Sequence, residues 1–231
     1  SKKILITGSN GLLGQKLVSA LKTSSIILAT SRGKNIMKDR SGYQYQCLDI
    51  TSKQDVRSII LKFNPDAVIN TAAMTNVDDC EGEREACDKI NVYAVQHLAD
   101  ACVSVGAHLV HISTDFIFDG EDGPYTEDDV ANPISYYGLS KWKSEKLLHD
   151  SDCDWSILRT IIIYGTADNL KRKNIVLWGR AALKKGESLN VINDQFRSPT
   201  LVEDLVEACI LVVNKKVTGT FHVSGKDIMS I

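Results

Sequence analysis

Tyr137 and Lys141 are the two residues whose types and spacing most directly suit acid–base chemistry. They lie four positions apart, whereas the neighbouring Tyr136 has a serine at that offset. If this stretch is helical, residues i and i+4 share a face, so the lysine ammonium can lie near the phenol. A positive charge nearby lowers the pKa of a tyrosine from its ordinary value of ~10. Such a phenol can donate a proton to a carbonyl oxygen while a hydride reaches the carbonyl carbon.

Spacing alone favours an exposed tyrosine beside a solvated lysine, but the position of a threonine favours the chemistry. Thr114 follows the apolar run His108–Ser113, so it falls at the carboxyl end of a predicted strand, where open α/β sheets bind ligands. Its hydroxyl could bond the same carbonyl oxygen, or it could cap a turn. Asn91 falls in a predicted helix, where asparagine is disfavoured. We expect its side chain to bond backbone and position a water or Lys141, or else to be exposed.

A glycine-rich turn near the N-terminus predicts a site for a pyrophosphate. Gly8, Gly11 and Gly14 follow the apolar run Lys2–Thr7 and precede a helical pattern. The first glycine permits a tight turn, the second lets backbone N–H groups approach phosphate, and the third allows close packing of helix on strand. The helix N-terminus adds partial positive charge. A turn that binds nothing is the alternative, but the placement between strand and helix favours a dinucleotide.

The residues after the second strand bear on which dinucleotide binds. NAD sites usually have an Asp or Glu there to hold the ribose 2′-hydroxyl. This chain has Thr30, Ser31 and Arg32 instead, and the last two could bond a 2′-phosphate. Arg32 facing solvent is the alternative. We therefore predict NADP(H) as the cofactor, with NAD(H) left open.

Apolar runs of strand length alternate with helical patterns, which is typical of a parallel sheet with helices on both faces. We predict an α/β fold with a doubly wound parallel sheet, the Rossmann fold. Residues 1–165 form the NADP-binding domain, and residues 166–231 form a mixed segment that contributes a small C-terminal substrate lobe and returns to the core. The predicted strands are Lys2–Thr7, Ile26–Thr30, Tyr45–Leu48, Ala67–Asn70, His108–Ser113, Trp155–Arg159, Leu189–Ile192 and Thr220–Val223. The predicted helices are Leu12–Lys22, one capped by Thr51 or Ser52 that runs through Phe63, Glu83–Val105, Tyr137–Leu148, Ile175–Lys185 and Val202–Val213, with surface loops at Asp119–Pro133 and Lys171–Lys173.

Composition limits the class of protein. A net charge of −2 over 231 residues gives no general attraction to nucleic acid or to an anionic membrane. The six cysteines are scattered with no CxxC pair, which argues against a zinc site or a disulfide framework and for reduced thiols. No apolar run approaches the ~20 residues of a membrane span, and the N-terminal strand is too short for the core of a signal peptide. We expect a cytoplasmic protein with no metal and no nucleic-acid or membrane partner.

Four motifs occur in an order that resembles a known family. They are Thr7-Gly8-x-x-Gly11-x-x-Gly14, Asn70-Thr71-Ala72-Ala73, the string from Ser113 to Gly120, and Tyr137-Gly138-Leu139-Ser140-Lys141. Together they resemble the extended short-chain dehydrogenase/reductases, and most closely the dTDP-4-dehydrorhamnose reductase branch. The similarity runs from Lys3 to about Gly225, and the string from Ser113 to Gly120 is its most branch-specific part.

The resemblance implies an activity and a set of site residues. The activity is hydride transfer from NADPH to C4 of a dTDP-4-keto-6-deoxyhexose, which gives dTDP-L-rhamnose. A nucleotide-linked sugar is the implied substrate, and assembly as a homodimer is left open. The implied catalytic residues are Thr114, Tyr137 and Lys141. The implied cofactor contacts are Gly8, Asn10, Gly11, Leu12 and Leu13 at the pyrophosphate turn, Asp49 and Ile50 beside the adenine, Ala72, Ala73 and Met74 beside the ribose, and Asn91, Tyr137 and Lys141.

Two departures from the family pattern bear on the substrate. Thr160–Tyr164 reads Thr-Ile-Ile-Ile-Tyr where family members often carry a tryptophan, so the identity of the sugar is left open. Relatives continue for some tens of residues past the position of Ile231, so we expect the substrate lobe to be truncated here. Two other functions use the same scaffold. One is a sugar-nucleotide epimerase or dehydratase with tightly held NAD, against which the missing acid after Thr30 argues. The other is a non-catalytic, dinucleotide-binding regulatory subunit similar to the β subunit of methionine adenosyltransferase.

Overall fold

Strands and helices alternate along most of the chain. The structure, a computed structural model, describes residues 1–171 and 174–231, so most of the predicted loop Lys171–Lys173 lies outside the described residues. The strands are β1 (Lys3–Thr7), β2 (Ile26–Ser31), β3 (Gln44–Cys47), β4 (Ala67–Asn70), β5 (His108–Thr114), β6 (Trp155–Thr160), β7 (Ile163–Tyr164), β8 (Phe196–Arg197), β9 (Thr200–Leu201), β10 (Gly219–Val223) and β11 (Met229–Ser230). The helices are α1 (Leu12–Leu21), α2 (Lys53–Phe63), α3 (Val77–Gly82), α4 (Arg84–Asp88), α5 (Ala94–Val105), α6 (Tyr136–His149), α7 (Ile175–Lys184) and α8 (Val202–Lys215), with a π-helical turn at Lys89–Tyr93 and a 3-10 turn at Asp115–Ile117.

Seven strands form one parallel sheet, in the order β10-β6-β5-β4-β1-β2-β3. The chain builds outward from β1 in one direction through β3, and then in the other direction from β4. The order therefore reverses between β1 and β4, and open α/β sheets bind ligands in the crevice at such a switch point, beyond the carboxyl ends of the strands. The predicted doubly wound Rossmann sheet is confirmed.

Helices cover both faces of the sheet, and the alternation of side chains along each strand assigns residues to one face or the other. In β1, Ile4 and Ile6 pack in the cluster that holds α1 and α8, whereas Leu5 packs in the cluster that holds α2 and α5. All three side chains are at most 1% exposed. Burial of each such side chain stabilises the fold by about 1.5–3 kcal/mol. The central strands are held rigidly, which fixes the positions of their carboxyl ends.

Several helix ends follow from local sequence. Ser52 caps α2 by accepting a hydrogen bond from the Asp55 N–H, which settles the predicted choice between Thr51 and Ser52. Gly106 ends α5 in the left-handed conformation, with φ of 68°, as its position predicts. Ser135 caps α6 through a 3.1 Å bond from the Gly138 N–H. The last cap fixes the start of the helix that carries Tyr137.

Two predicted elements differ from the structure. The long helix predicted at Glu83–Val105 is interrupted by the π-helical turn, and the short helix α3 precedes it. A π-helical turn shifts the side chains that follow, and such turns are frequent at functional sites. The strand predicted at Leu189–Ile192 is wrong, since these residues are irregular and exposed or half-buried. Its apolar pattern is short, and a short apolar run is ambiguous without a partner strand.

The segment after Gly165 contributes to two regions. Its helix α8 packs against α1, and β10 extends the main sheet beside β6. Outside the main sheet, β9 of this segment pairs with β7, which precedes Gly165, and β8 pairs with β11. The division at residue 165 into two domains stays a prediction. Within residues 1–171 and 174–231, no helix combines the length and the apolar character that a membrane crossing requires.

Candidate active site

The turn after β1 leaves no space for a side chain at two of its glycines. Gly8 has φ of +66°, and a Cβ there would lie 2.7 Å from the Ala72 nitrogen. A Cβ on Gly14 would lie 2.4 Å from the Gly8 oxygen, so α1 packs closely on the turn. The Thr71 hydroxyl donates to the Thr7 carbonyl over 2.7 Å and ties the turn to the end of β4. These contacts are the tight turn and the close helix–strand packing that the glycine spacing predicts.

The mouth of this turn has free hydrogen-bonding capacity. Gly11 is the N-cap residue of helix α1, which has no side-chain cap and no acidic residue in its first turn. Its first N–H groups and its partial positive charge therefore face outward, which suits a phosphate. Among the described residues, the Ser9 hydroxyl is the one buried side-chain polar atom without a hydrogen-bond partner. An orphaned hydroxyl beside an uncapped helix N-terminus fits a pyrophosphate, and the residues present therefore fit a dinucleotide.

The residues predicted to contact the cofactor around the turn differ in their burial and in their hydrogen bonds. Leu13 and Ile50 are buried in the core, at 6% exposure each, so their side chains are committed to packing. Gly11 is exposed and Leu12 is half-buried at the mouth. Asn10 uses its side chain on the loop after β2, where it donates to the Lys34 carbonyl over 2.9 Å and accepts from the Ile36 N–H. Asn10 therefore shapes the loop rather than presenting a free amide.

The end of β2 carries the residues predicted to distinguish NADP from NAD. Ser31 is half-buried, and Arg32 is exposed at the rim of the sheet. Asp49 accepts hydrogen bonds from the backbone and hydroxyl of Thr51, and these bonds lower the pKa of Asp49. The charge of the Arg32 guanidinium lowers that pKa further. Their roles in cofactor binding stay predictions.

Asn91 joins the end of β4 to helix α6. It is 1% exposed, which rules out the exposed alternative, and its side chain accepts from the Met74 N–H and donates to the Met74 carbonyl, both over 2.9 Å. It also donates to the Ser140 hydroxyl over 2.9 Å. Among the described residues, Lys141 is not a hydrogen-bond partner of Asn91, so the predicted direct contact between them is not formed. The π-helical turn places this side chain inward. Ala72, Ala73 and Met74 are half-buried along the crevice.

Helix α6 brings Tyr137 and Lys141 to the carboxyl end of β5. A Cβ on Gly138 would lie 2.0 Å from the Phe116 carbonyl oxygen, so this glycine lets the helix approach the 3-10 turn directly. The rings of Tyr137 and Phe116 meet edge to face, with centroids 5.6 Å apart. Lys141 is 2% exposed, and its Nζ donates to the Ile112 carbonyl over 2.7 Å and lies 3.1 Å from His111 Nε2. The phenol and the amine therefore flank the same strand end.

Thr114 lies between Tyr137 and Asp115, an acidic residue outside the predicted site. Its hydroxyl donates to Asp115 Oδ1 over 3.1 Å and accepts from the Phe116 N–H over 3.2 Å, so it caps the 3-10 turn as well as facing the site. Arg197 lies 3.8 Å from Asp115. Its guanidinium also lies 5.8 Å from the centre of the Phe116 ring. Asp115 and Arg197 add a half-buried charge pair to the predicted residues.

Burial shifts the ionisation of these groups, and for Tyr137 the direction is opposite to the lowering of the pKa that is expected from the nearby lysine. It raises the pKa of Tyr137, and a hydrogen bond with Thr114 partly opposes that rise. Burial also raises the pKa of Asp115, which the Arg197 charge opposes. Burial lowers the pKa of Lys141 to about 8, against the attraction of Glu145. The phenol is therefore protonated at neutral pH, beside an ammonium group that can titrate just above it.

A buried ion pair connects the elements that carry the site. Arg159 in β6 donates to both carboxylate oxygens of Glu145, over 2.7–3.1 Å, and the two side chains are 5% and 0% exposed. The Ser113 hydroxyl also donates to Glu145, and Arg159 donates to the Glu127 carbonyl. This network ties α6 to β5, to β6 and to the loop before α6. A charged residue in a strand that is otherwise buried is the sequence signal that could have indicated Arg159.

The comparisons with known proteins agree with this geometry. The family described as the RmlD substrate binding domain matches residues 2–231. The dTDP-4-dehydrorhamnose reductase of Aggregatibacter actinomycetemcomitans is 34% identical over 235 residues, covering 99% of this chain and 75% of that protein. Methionine adenosyltransferase 2 subunit beta of Rattus norvegicus is 29% identical, covering 100% of this chain and 69% of that protein.

A solved structure gives the same result for the fold. The dTDP-4-dehydrorhamnose reductase of Bacillus anthracis, crystallised in complex with NADP, superposes with a TM-score of 0.85 at 31% identity, covering 100% of this chain and 76% of that one. The resemblance drawn from the four motifs is confirmed. This chain belongs to the RmlD substrate binding domain family, the family of the dTDP-4-dehydrorhamnose reductases.

Proposed function

We propose that this protein is an NADP(H)-dependent reductase that converts dTDP-4-dehydrorhamnose, a nucleotide-linked 4-keto-6-deoxy sugar, to dTDP-L-rhamnose. The observation that carries the proposal is the meeting of Thr114, Tyr137 and Lys141 at one strand end, in the sheet whose first turn fits a pyrophosphate. The reductase relatives, 31–34% identical over nearly the whole chain, support the substrate class.

The nicotinamide dinucleotide predicted from the glycine turn is confirmed for the family by the relative crystallised with NADP. In this chain, the uncapped first N–H groups of α1 would hold the pyrophosphate beside Gly8 and Gly11, and Ser9 would add its unpartnered hydroxyl. We assign the preference for NADP(H) over NAD(H) to Ser31 and Arg32, because an arginine can form charge-assisted hydrogen bonds to a 2′-phosphate.

The chain's own residues handle the proton. When bound, the cofactor supplies a hydride to the carbonyl carbon of the sugar. Tyr137 donates its phenolic proton to the carbonyl oxygen, and burial keeps that proton in place at neutral pH until the oxygen becomes basic. The Lys141 ammonium then stabilises the phenolate that is left behind.

Thr114 assists the acid. Its hydroxyl can donate either to Asp115, as it does in this structure, or to the oxygen of Tyr137, where a donated bond favours the phenolate and lowers the pKa of Tyr137. Asp115, in turn, is held by Arg197 at 3.8 Å. Thr114 therefore stabilises the phenolate of Tyr137, in addition to the role of donor to the substrate that the sequence suggests.

Tyr137→Phe tests the proposal. Removal of the phenolic oxygen should lower the rate of NADPH oxidation with dTDP-4-dehydrorhamnose by about 10²-fold or more, since general acid catalysis contributes 10²–10⁴-fold. The affinity for NADPH should change little, because the phenol acts mainly in the transition state. Tyr136→Phe is the matched control, since Tyr136 bonds Asp88 on the outer side of the helix. A turnover of Tyr137→Phe within a few-fold of wild type would remove Tyr137 from the reaction.

A second candidate function is that of a non-catalytic, dinucleotide-binding subunit of a methionine adenosyltransferase. The alignment of the whole chain with 69% of methionine adenosyltransferase 2 subunit beta favours it. Retention of Tyr137 and Lys141 is compatible with both functions. Turnover separates them: the reductase consumes NADPH when a keto-sugar nucleotide is added, whereas the subunit binds NADPH and leaves it unchanged across a panel of nucleotide sugars.

A further inference from the structure

A ladder of buried polar side chains crosses the sheet beneath the candidate active site. Thr7 is paired with Asn70 between β1 and β4, and Asn70 is paired with His111 between β4 and β5. The alternation along each strand places all three on the face covered by α6, and each is at most 1% exposed. In a parallel sheet these positions normally carry apolar side chains. The ladder joins the base of the glycine turn to the strand that carries Thr114.

The hydrogen bonds assign the proton on the His111 ring. The Thr7 hydroxyl donates to Asn70 Oδ1 over 2.6 Å, so Asn70 presents its amide N–H to His111 Nδ1, 3.1 Å away. Nδ1 is therefore the acceptor. Ser144 donates its one proton to the Lys141 carbonyl, so it can only accept from His111 Nε2, which lies 3.1 Å away. Both ends of the network place the proton on Nε2.

This ring faces the amine of Lys141 directly. Lys141 Nζ lies 3.1 Å from His111 Nε2 and donates to the Ile112 carbonyl over 2.7 Å. A protonated Nε2 has no lone pair to accept from an ammonium group 3.1 Å away, and its N–H dipole opposes that charge, whereas a neutral amine with its own lone pair is tolerated there. Both side chains are shielded from water, at 1% and 2% exposure, so the effect is weakly screened.

We propose that His111 is a positioning residue for Lys141. The ring sets the lysine nitrogen against its own N–H at the end of β5, and so makes the proton of the lysine ammonium easier to remove near neutral pH. This inference rests on the proposed function, because it gives Lys141 the ability to titrate in the range where a dehydrogenase works. Burial lowers the pKa of His111 well below its ordinary value, and the Lys141 charge lowers it further, so the ring stays neutral.

Other charged or titratable groups around Lys141 act in the opposite direction or stay neutral. Glu145 and Cys87 both raise the pKa of Lys141, from α6 and α4. Glu145 is itself paired with Arg159, which limits its pull on the lysine. Tyr137 is protonated and uncharged at neutral pH because burial raises its pKa. His111 is therefore the side chain in contact with the lysine nitrogen that opposes its charge.

The ring proton can be located without any substitution of His111. Long-range ¹H–¹⁵N spectra of the ¹⁵N-histidine-labelled protein report which ring nitrogen carries hydrogen, and the other four of the five histidines can be assigned by single substitutions. We expect His111 to be neutral, with hydrogen on Nε2, across pH 6–9, a range of about 3 units around neutrality. Hydrogen on Nδ1, or a ring that becomes charged in this range, would overturn the proposal.

The effect on the lysine can be measured in the dinucleotide-free protein. ¹³Cε-lysine labelling, with the Lys141 signal assigned by its loss in Lys141→Met, gives the pKa of Lys141. His111→Gln replaces the N–H with a carboxamide whose oxygen can accept from an ammonium group, so we expect this pKa to rise by about one pH unit. His108→Gln is the matched control, because His108 is a buried histidine of the same strand that bonds Ser156 instead. The Lys143 signal, from an amine on the same helix that pairs with Asp88, serves as the internal reference.

The proposal and the proposed function fail in different ways. An unchanged Lys141 pKa in His111→Gln, or an equal change in His108→Gln, overturns the role of His111. Absence of NADPH oxidation by the wild-type protein overturns the reductase, whatever the lysine does. If the protein turns over, the loss of rate at high pH should move upward with the Lys141 pKa in His111→Gln, and a merely structural role would lower the rate equally at every pH.

Discussion

The close approach of α6 to the 3-10 turn makes Gly138→Ala a sharp test of the site's geometry. The added Cβ would lie 2.0 Å from the Phe116 carbonyl oxygen, whereas ordinary contacts begin at about 3.4 Å, so helix and turn must separate by about 1.4 Å. Alanine gains up to about 1 kcal/mol over glycine in a helix interior. Overpacking of a tight contact costs about 1–3 kcal/mol. The steric cost therefore outweighs the helical gain.

The displacement falls on the residues that flank the substitution. Tyr137 and Lys141 are carried by α6, and Thr114 precedes the turn that must move away from it. A misplacement of about 1 Å at reacting groups can lower a rate by about 10²-fold. We therefore expect Gly138→Ala to fold, to bind NADPH with nearly wild-type affinity at the distant glycine turn, and to oxidise NADPH with dTDP-4-dehydrorhamnose about 10²-fold more slowly.

A matched substitution separates crowding from a general effect of alanine. Gly179 lies in α7, and a Cβ there would meet no atom within 4 Å. Gly179→Ala should keep the wild-type turnover and should not lower the free energy of unfolding. Turnover of Gly138→Ala within two-fold of Gly179→Ala would show that the contact with Phe116 does not position the site, and the reasoning from Cβ geometry would be refuted.

Three further predictions concern charge. Arg32→Ala should raise the Kd for NADPH by about tenfold or more, because it removes a charge-assisted hydrogen bond, and should leave the Kd for NADH nearly unchanged. Both constants can be measured by fluorescence titration. An equal rise in the two would show that Arg32 does not contact the 2′-phosphate. Glu145→Gln should lower the free energy of unfolding by about 3–5 kcal/mol, because it leaves the 5%-exposed Arg159 without its counter-charge. Glu85→Gln, at an exposed pair with Lys89, should cost no more than about 0.5 kcal/mol in the same urea titration, and similar losses in the two variants would contradict the argument. Turnover should fall as pH rises through about 8, because the Lys141 ammonium that stabilises the Tyr137 phenolate is then lost; a rate that is flat to pH 10, about 2 units higher, would separate Lys141 from the reaction.

The parts of the fold and site that depend on local spacing could be predicted from the sequence. The glycine turn, the caps at Ser52 and Gly106, and the helical register of Tyr137 and Lys141 are each set by residues a few positions apart. The order of the sheet follows from strand–helix alternation together with the rules for parallel connections. Because these features depend on neighbouring residues, short sequence motifs are enough to predict them.

The parts that could not be predicted depend on pairs brought together by the fold. His111 meets Lys141 from 30 positions away, and Asp115 meets Arg197 from 82 positions away. Spacing does not mark such pairs, because any buried polar residue has many candidate partners in the sequence. The π-helical turn is equally hidden, since the bonds that its residue Asn91 makes to Met74 and Ser140 also join distant positions of the chain. The strand predicted at Leu189–Ile192 fails for a related reason, because an apolar run forms a strand only where a partner strand is available.

Transfer of deuterium tests most directly whether Tyr137 protonates a sugar carbonyl as a hydride reaches its carbon. The protein is incubated with [4-²H]NADPH of the transferable configuration and dTDP-4-dehydrorhamnose, and the sugar nucleotide is then measured by mass spectrometry. We expect one deuterium at C4 of the product with the wild-type protein, and at least about 10²-fold less product in the same time with Tyr137→Phe. Tight binding of NADPH with no deuterium in any sugar of a nucleotide-sugar panel, or equal labelling by the two proteins, would contradict it.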